Sequence, residues 1–480
     1  MSYNSEDYFI SNEFKEILNK FRNVEIAGNY ASLDPDELID VAEYYYNNGH
    51  FDRAEKIIDT AISIYPGSVS PLLFKARIEM LDKDDVSKAE YYTELIDDKT
   101  DLEYFYMKAE IFLYKGEIDK ADKYLEKQFD IINNDDKDYF TIDSAALFFD
   151  YRETALANKW LKRTEDKSII EYKEQEARIL IDKGEYEKSD KLLNELLDQN
   201  PYSTHYWNTL ASSQFFNNNI KDSIKSSEYS IAINPNNAEA LLNKANGLYN
   251  LGNYNEALEY YTRCNKLYPD NENVLILMGL CCIMQERYDE ALVYLKKAED
   301  MMPNDSKNIS DAHKDLAWAL CRLGRIDEGM AILDKIEDGN TIDKTILRGS
   351  LYLGCGNIDE AKKCYAKVVK NSDRSPEILN KMAISIFEAG YSEAAYKIFK
   401  MIYSSCKDWH DGYAYFAACC YDLGKNRETV DSLKLAAKYS PQKLKMLLGS
   451  LFPEGMPPKD YPNFFLNNMK NNNHGKTANN

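Results

Sequence analysis

Twelve small residues recur along this chain at nearly constant spacing, and that recurrence limits the possible folds more than any other feature. They are Ala54, Ala89, Ala121, Ala157, Ser189, Ser223, Ala257, Ala291, Gly329, Ala361, Ala395 and Thr429. Successive gaps are 35, 32, 36, 32, 34, 34, 34, 38, 32, 34 and 34 residues. Each residue ends a motif of the form Gly-x-(aromatic or aliphatic)-x-x-small. The cleanest copy is Gly252-Asn253-Tyr254-Asn255-Glu256-Ala257, and Gly49-His50-Phe51-Asp52-Arg53-Ala54 is another. A fixed period of this length means one supersecondary unit stacked on itself. It replaces the two to four separate globular domains that a chain of 480 residues otherwise suggests.

The motif reads as the turn of a helical hairpin. Gly ends a first helix where positive φ is often required, with Asn218 standing in at one copy. The following apolar residue opens a second helix, and the small residue lets the two helices approach closely. Twelve residues further on, Pro66, Pro201, Pro235, Pro269, Pro303 and Pro441 close second helices, because proline lacks an N–H and disfavours helix in the residue before it. About twelve residues upstream lies another small residue, as at Ala42, Ala109, Ala177, Gly279, Gly349 and Ala383. Four residues downstream comes a bulky one, as at Ile58, Leu125, Leu193, Tyr261, Leu295 and Tyr365.

These offsets resemble the tetratricopeptide-repeat (TPR) consensus over residues 34–441, about 85% of the chain. The resemblance implies an all-α, right-handed superhelical solenoid of about 12 TPR helix-turn-helix hairpins with N- and C-terminal capping helices. Ala54, Ala121, Ala257, Ala291, Ala361 and Ala395 are its structural repeat positions. Residues 204–303 match best. Two copies match poorly: Tyr151-Arg152-Glu153-Thr154 lacks the turn glycine, and Lys425-Asn426-Arg427 lacks the apolar residue. Distortion of those two hairpins is the expectation.

Five segments follow. Residues 1–34 form an amphipathic cap helix, with Phe14, Ile17, Leu18 and Phe21 on one face. Residues 35–303 hold units 1–8 and residues 304–441 hold units 9–12. Four extra residues near 303–308 either divide the stack there or only lengthen a loop. Residues 442–452 form the C-terminal cap helix through Leu444, Leu447, Leu448 and Leu451. Residues 453–480 form a flexible tail, within which Pro462-Asn463-Phe464-Phe465-Leu466 either folds back onto the repeats or serves as a short linear motif.

The remaining composition excludes several functions. A formal net charge of −21 repels phosphate backbones and anionic lipid, so no nucleic acid is expected. No stretch approaches 18 apolar residues, so no membrane insertion is expected. Residues 1–22 lack an apolar core, which predicts no secretory leader. The nine cysteines are odd in number, confined to Cys264–Cys420 and partly adjacent, as at Cys281-Cys282 and Cys419-Cys420. They read as buried free thiols in a reducing, cytoplasmic setting. His50, His205, His313, His410 and His474 have no metal-ligand spacing, and no phosphate loop or nucleophile elbow occurs. No catalytic residue, metal or cofactor is expected.

In the TPR family the first helix of each hairpin lines a concave groove. Carried onto this chain, that places Asp36, Asp40, Glu43, Glu103, Tyr106, Glu110, Glu171, Glu174 and Arg178 in its N-terminal part. Asn208, Asn243 and Asn246 follow in the middle, and Trp318 later, with Lys314, Asn380 and Lys381 nearby. The resemblance implies a protein or peptide partner. The acidic N-terminal groove favours a basic, extended one, and asparagine amides suit an extended backbone. The carboxylate clamp of chaperone-binding members is incomplete, because Asn273 and Leu277 stand where Lys and Arg are needed. A non-catalytic scaffold or adaptor is the leading expectation. A structural subunit of a stable assembly, or a regulatory subunit docking on a separate enzyme, is the alternative. Oligomeric state is not specified by the sequence.

Overall fold

The computed structural model describes residues 8–474 apart from 10, 29, 270, 303–307, 337–340, 407–408 and 454. Among them every regular element is helical. The chain forms two compact bodies, Met1–Leu251 and Gly252–Asn480. The extra residues expected near 303–308 fall largely on 303–307, outside the described residues.

The first body contains α1 (Asn12–Ala27), α2 (Pro35–Asn47), α3 (Phe51–Ile64), α4 (Val69–Leu81), α5 (Val86–Glu94), α6 (Leu102–Tyr114) and α7 (Ile118–Phe129). It continues with α8 (Lys137–Asp150), α9 (Thr154–Leu161), α10 (Ile170–Asp182), α11 (Tyr186–Gln199), α12 (Thr204–Phe216), α13 (Ile220–Ile233) and α14 (Ala238–Asn250). From α2 onward each even helix pairs with the next odd one, so six hairpins run from α2–α3 to α12–α13. The second helix of each hairpin rests on the first helix of the next, and successive first helices also touch, from α2 on α4 to α12 on α14. The second helices form no comparable layer, so the first helices make up the tighter face.

The second body opens with α15 (Tyr254–Leu267) and then holds α16 (Glu272–Met284), α17 (Tyr288–Met301), α18 (Ile309–Arg322), α19 (Ile326–Asp334), α20 (Thr341–Gly354) and α21 (Ile358–Asn371). It ends with α22 (Pro376–Glu388), α23 (Ser392–Ser405), α24 (Tyr413–Asp422), α25 (Asn426–Tyr439), α26 (Pro441–Leu448) and α27 (Tyr461–His474). Here α16–α17 to α24–α25 are five hairpins with the same packing, the first helices touching in series from α16 to α24. Helices α2–α25 are thus the twenty-four that twelve repeats require.

The hairpin turn is set by local chemistry. Five residues before every repeat small residue the backbone is left-handed: Gly49 has φ 77° and Gly116 73°, and the same holds at the non-glycine residues Asp84 (54°), Arg152 (62°), Asn218 (61°) and Glu286 (58°). At Gly49 the turn closes by Gly49 N–H donating to the Tyr46 carbonyl and His50 N–H to the Tyr45 carbonyl, both at 2.9 Å. Arg152 and Glu153 repeat this pattern onto Phe149 and Phe148, again at 2.9 Å. The fourth hairpin therefore keeps the common turn without its glycine, at the steric cost of a Cβ in that region. Arg152 is exposed, so Arg152→Gly removes that cost without losing a contact. Its expected effect is a gain of about 1 kcal/mol, read as slower amide hydrogen exchange across α8 and α9.

Small residues then set the spacing. Ala54, Ala121, Ala257, Ala291, Ala361 and Ala395 are all fully buried. At Gly279 and Gly349 the bulky residue of the partner helix leaves no room even for a methyl group without a shift. A Cβ at Gly279 would stand 2.6 Å from the Leu295 side chain, and one at Gly349 would stand 2.7 Å from the Tyr365 ring.

Both ends are covered. Phe14 and Phe21 of α1 are buried in one cluster with Leu38, Val41 and Ile58. Asp34 and Glu37 close a capping box over the start of α2, with Pro35 in its first turn. At the other end Leu444 and Leu448 of α26 pack with Leu433 and Ala436. The stretch expected to be a flexible tail contains α27, which packs on α25. Tyr461 stacks on Phe452 at 3.8 Å between ring centroids, hiding apolar surface that an end repeat leaves open.

Candidate functional site

Charged and amide side chains along the first-helix face of the first body are held largely by groups about one repeat away. The Tyr8 hydroxyl donates to Asp40 at 2.5 Å, and the Ser70 hydroxyl to Asp36 at 2.5 Å. Glu43 is buried on α2. Arg77 of α4 reaches Glu110 at 3.3 Å and Glu103 at 3.6 Å, both on α6. Burial pushes the Glu110 carboxyl above its usual range despite the opposing pull of Arg77. The Tyr206 hydroxyl donates to Glu174. Arg178 pairs with Asp150 at 2.6 Å and lies over the Phe149 ring at 4.5 Å. Glu171 is exposed at the start of α10.

The central amides form a network between α12 and α14. Asn208, only 2% exposed, donates to Asn237 Oδ1 at 3.0 Å and to Glu239 at 3.1 Å. Asn243 donates to the Asn208 carbonyl and to the Ser212 hydroxyl, each at 3.4 Å. Asn246 is half-buried one turn further along α14. In the second body Trp318 of α18 lies against Gly354, where a Cβ would meet its ring at 2.5 Å.

One concavity holds two of the expected residues, Glu103 and Tyr106. A cleft of about 610 Å³ opens between the start of α6, the turn after α7 and α8. Its carboxylates are Asp101, Glu103, Asp136 and Asp143, and no lysine or arginine lines it. Phe105, Tyr106, Ile131 and Ile132 supply the apolar part, and Ile131 is 72% exposed. Asp101 is fixed by capping α6, accepting from the Glu103 N–H at 2.8 Å. Tyr106 is buried beside Asp143, and both its burial and the nearby carboxylates hold its phenol protonated. Four carboxylates beside apolar surface attract a cation with a hydrocarbon stem, which is the description of a lysine or arginine side chain. Asp36, Asp40 and Glu43 lie on α2 and do not line this cleft.

A second cleft, of about 470 Å³, lies on the first helices of the second body. Lys314, Lys344 and Lys381 face it with Asp343 and Glu388. Lys381 pairs with Asp343 at 3.3 Å, and the Tyr415 hydroxyl donates to Glu388 at 3.0 Å. Next to Lys314 stands a residue that sequence reading passed over. Asp315 is half-buried, and among the described residues no hydrogen bond or ion pair holds it. Burial, with Asp311 adding to it and Lys314 opposing, pushes its carboxyl up to about 7. Nothing in the sequence separated it from the many surface aspartates. Among the described residues there is no cluster of His, Cys, Asp or Glu that could hold a metal, and no helix is long and apolar enough to cross a membrane.

Comparison with known proteins places repeats along this chain. Residues 217–298 match the family model described as anaphase-promoting complex, cyclosome, subunit 3. Residues 283–340 match one tetratricopeptide-repeat model, and residues 102–135 and 346–373 match another. Among curated proteins, the chain is similar to protein IFIT1 homolog B of Homo sapiens, at 28% identity over 120 residues, covering 21% of this chain and 25% of that protein. It is also similar to the antiviral innate immune response effector IFIT1 of Macaca fascicularis, at 29% over 129 residues, covering 23% and 25%. The chain thus spans about a quarter of the length of these relatives. Among solved structures, Pseudomonas aeruginosa pilF matches with a TM-score of 0.36 at 19% identity, covering 44% of this chain and 94% of that one. YrrB, described as a TPR protein with an unusual peptide-binding site, matches with a TM-score of 0.31 at 17% identity, covering 37% and 91%.

Proposed function

The chain is a tetratricopeptide-repeat protein, and from that premise we propose that it is a non-catalytic, cytoplasmic scaffold or adaptor that takes an extended, basic segment of a partner protein on the first-helix face of its first body. The acidic cleft between α6 and α8 carries this reading. It combines four carboxylates with exposed apolar surface, no lysine or arginine lines it, and the nearby Arg77 is shared between Glu103 and Glu110. The acids on α2 and α10, such as Asp36 and Glu171, extend negative charge along the same face and favour a ligand longer than one side chain.

Binding of a labelled Lys/Arg-rich peptide to the full chain, followed by fluorescence anisotropy, tests it. Glu103→Lys with Asp136→Lys turns two cleft carboxylates into ammonium groups, while Glu110 stays to pair Arg77 and Asp101 stays to cap α6. Affinity is expected to fall by at least about tenfold, with a weaker salt dependence than the parent. Equal affinities for parent and variant, or equal binding of an acidic peptide of the same length, sink the reading.

A second reading is a subunit of a stable multiprotein assembly, or a regulatory subunit docked on a separate enzyme. It is favoured by the match of residues 217–298 to a model named for a complex subunit. Light scattering on the purified chain separates the two, since a well-behaved monomer counts against obligate assembly.

A further inference from the structure

Nine cysteines occupy the second body, and most are chemically quiet. Burial pushes the thiols of Cys264, Cys282 and Cys364 upward, and those of Cys281, Cys419 and Cys420 to about 12. Such thiols carry almost no thiolate near neutral pH and react slowly.

Cys321 and Cys355 differ in their geometry. They stand 34 residues apart in sequence, one repeat period, and so fall on adjacent hairpins. Cys321 lies in the last turn of α18, and Cys355 immediately follows α20. The first helices α18 and α20 pack on each other, and both cysteines belong to one cluster with Ala317, Leu333 and Leu351. Their thiols face each other closely enough for each to perturb the other's ionisation. The flanking residues are clamped as well, because Arg322 Nη1 donates to the Gly354 carbonyl at 2.8 Å. That bond fixes a guanidinium beside Cys355 and holds the two backbones in place. Cys321 is buried while Cys355 is half-exposed, which makes Cys355 the more accessible residue of the two.

We infer that Cys355 and Cys321 form a thiol modification site at which hydrogen peroxide oxidises Cys355 and Cys321 then closes a reversible disulfide between the ninth and tenth hairpins. The Cys355 thiol sits below its ordinary value, first because of the neighbouring Cys321 thiol, with burial opposing and the Arg322 guanidinium adding to the fall. The Cys321 thiol is raised, by its neighbour Cys355 and by burial. In the first step the Cys355 thiolate attacks the peroxide O–O bond, giving a sulfenic acid and releasing hydroxide, which takes up a proton to become water. In the second step Cys321 loses its proton and attacks the sulfenic sulfur. The S–S bond forms as the S–OH bond breaks and a second water leaves. Two thiols lose two electrons and two protons in all, and the peroxide is reduced to two waters. The link would staple α18 to the end of α20, two of the helices that line the lysine-bearing cleft.

Hydrogen peroxide treatment of the full chain, followed by non-reducing peptide mapping, tests this. A Cys321–Cys355 cross-linked peptide that disappears with dithiothreitol is expected. In Cys321→Ser, Cys355 should instead be captured by dimedone as a sulfenic acid. Cys355 should also alkylate with iodoacetamide at least about tenfold faster than Cys364. Equal alkylation rates, a peroxide product that joins other cysteines, or no dimedone adduct in Cys321→Ser overturns the inference. Each outcome is independent of peptide binding in the first body.

Discussion

Trp160→Ala is expected to loosen the fourth hairpin by about 3–5 kcal/mol, the usual range for emptying a fully buried tryptophan site. The indole has no exposed surface. It meets Phe140 edge-on at 5.9 Å and Phe129 at 6.1 Å, its Nε1–H donates to Asp122 at 2.9 Å, and the Arg163 guanidinium lies over it at 4.6 Å. It also sits in α9, an eight-residue helix too short to persist by itself. In a repeat array each hairpin depends on its neighbours, so the damage should be local before it is global. Amide hydrogen exchange is therefore the fitting readout. Protection in α8, α9 and the start of α10 should fall by about two to four orders of magnitude, while α16–α25 of the other body stay unchanged. Trp160→Phe keeps most of the buried ring and should cost clearly less. Unchanged exchange in α9 for the alanine variant would mean that the indole does not anchor this hairpin.

Asp315→Asn should stabilise the second body, and the gain should grow with pH. The folded carboxyl is raised to about 7, against about 3.9 in an unfolded chain. Below the unfolded value both states hold the proton and no penalty exists. Between the two values the folded state keeps a proton that the unfolded state has lost, so stability falls by about 1.4 kcal/mol per pH unit. Above the folded value the penalty is constant, at about 4 kcal/mol. An amide of the same shape never ionises and avoids it. The variant should therefore gain about 4 kcal/mol at pH 8 and only about 1–2 kcal/mol at pH 5. Denaturation of parent and variant at the two pH values, with exchange in α18 and α20 as the local reporter, checks both sign and slope. A gain equal at pH 5 and pH 8 would show that Asp315 does not titrate between them. The wild-type chain keeps this cost beside Lys314 and the lysine-bearing cleft, and perturbed carboxylates in such places gather where ligands bind.

Much of the fold could be read directly, because a hairpin repeat is specified by near neighbours in sequence. The left-handed residue, the small residue five positions on and the bulky residue four beyond that act within one turn or one helix pair. Even the fourth hairpin, expected to be distorted, keeps the common turn, since Arg152 tolerates a conformation that glycine adopts more cheaply. The candidate site was less legible. Repeat position puts Glu103 and Tyr106 on α6, but position does not say what a side chain meets. Glu110 is taken up by Arg77, and Asn208 by Asn237 and Glu239. Those partners arrive from neighbouring hairpins at separations between 29 and 33 residues, and small slips in the repeat decide which one is reached. Asp136 and Asp143 join the cleft from the weakest repeat, where the consensus gave no guide. A signal for the Cys321–Cys355 pair did exist, since residues one period apart on stacked helices become neighbours.

The sequence by itself determined the helices, their turns, their number and the hairpin repeat, because those follow from backbone conformation and side-chain volume over a few residues. Tertiary structure alone decided which groups each carboxylate meets, that Asp315 is largely withdrawn from water and that Cys321 and Cys355 come together. Burial and pairing are properties of the neighbouring hairpin's surface, and solvent exclusion there sets the charge each group can hold.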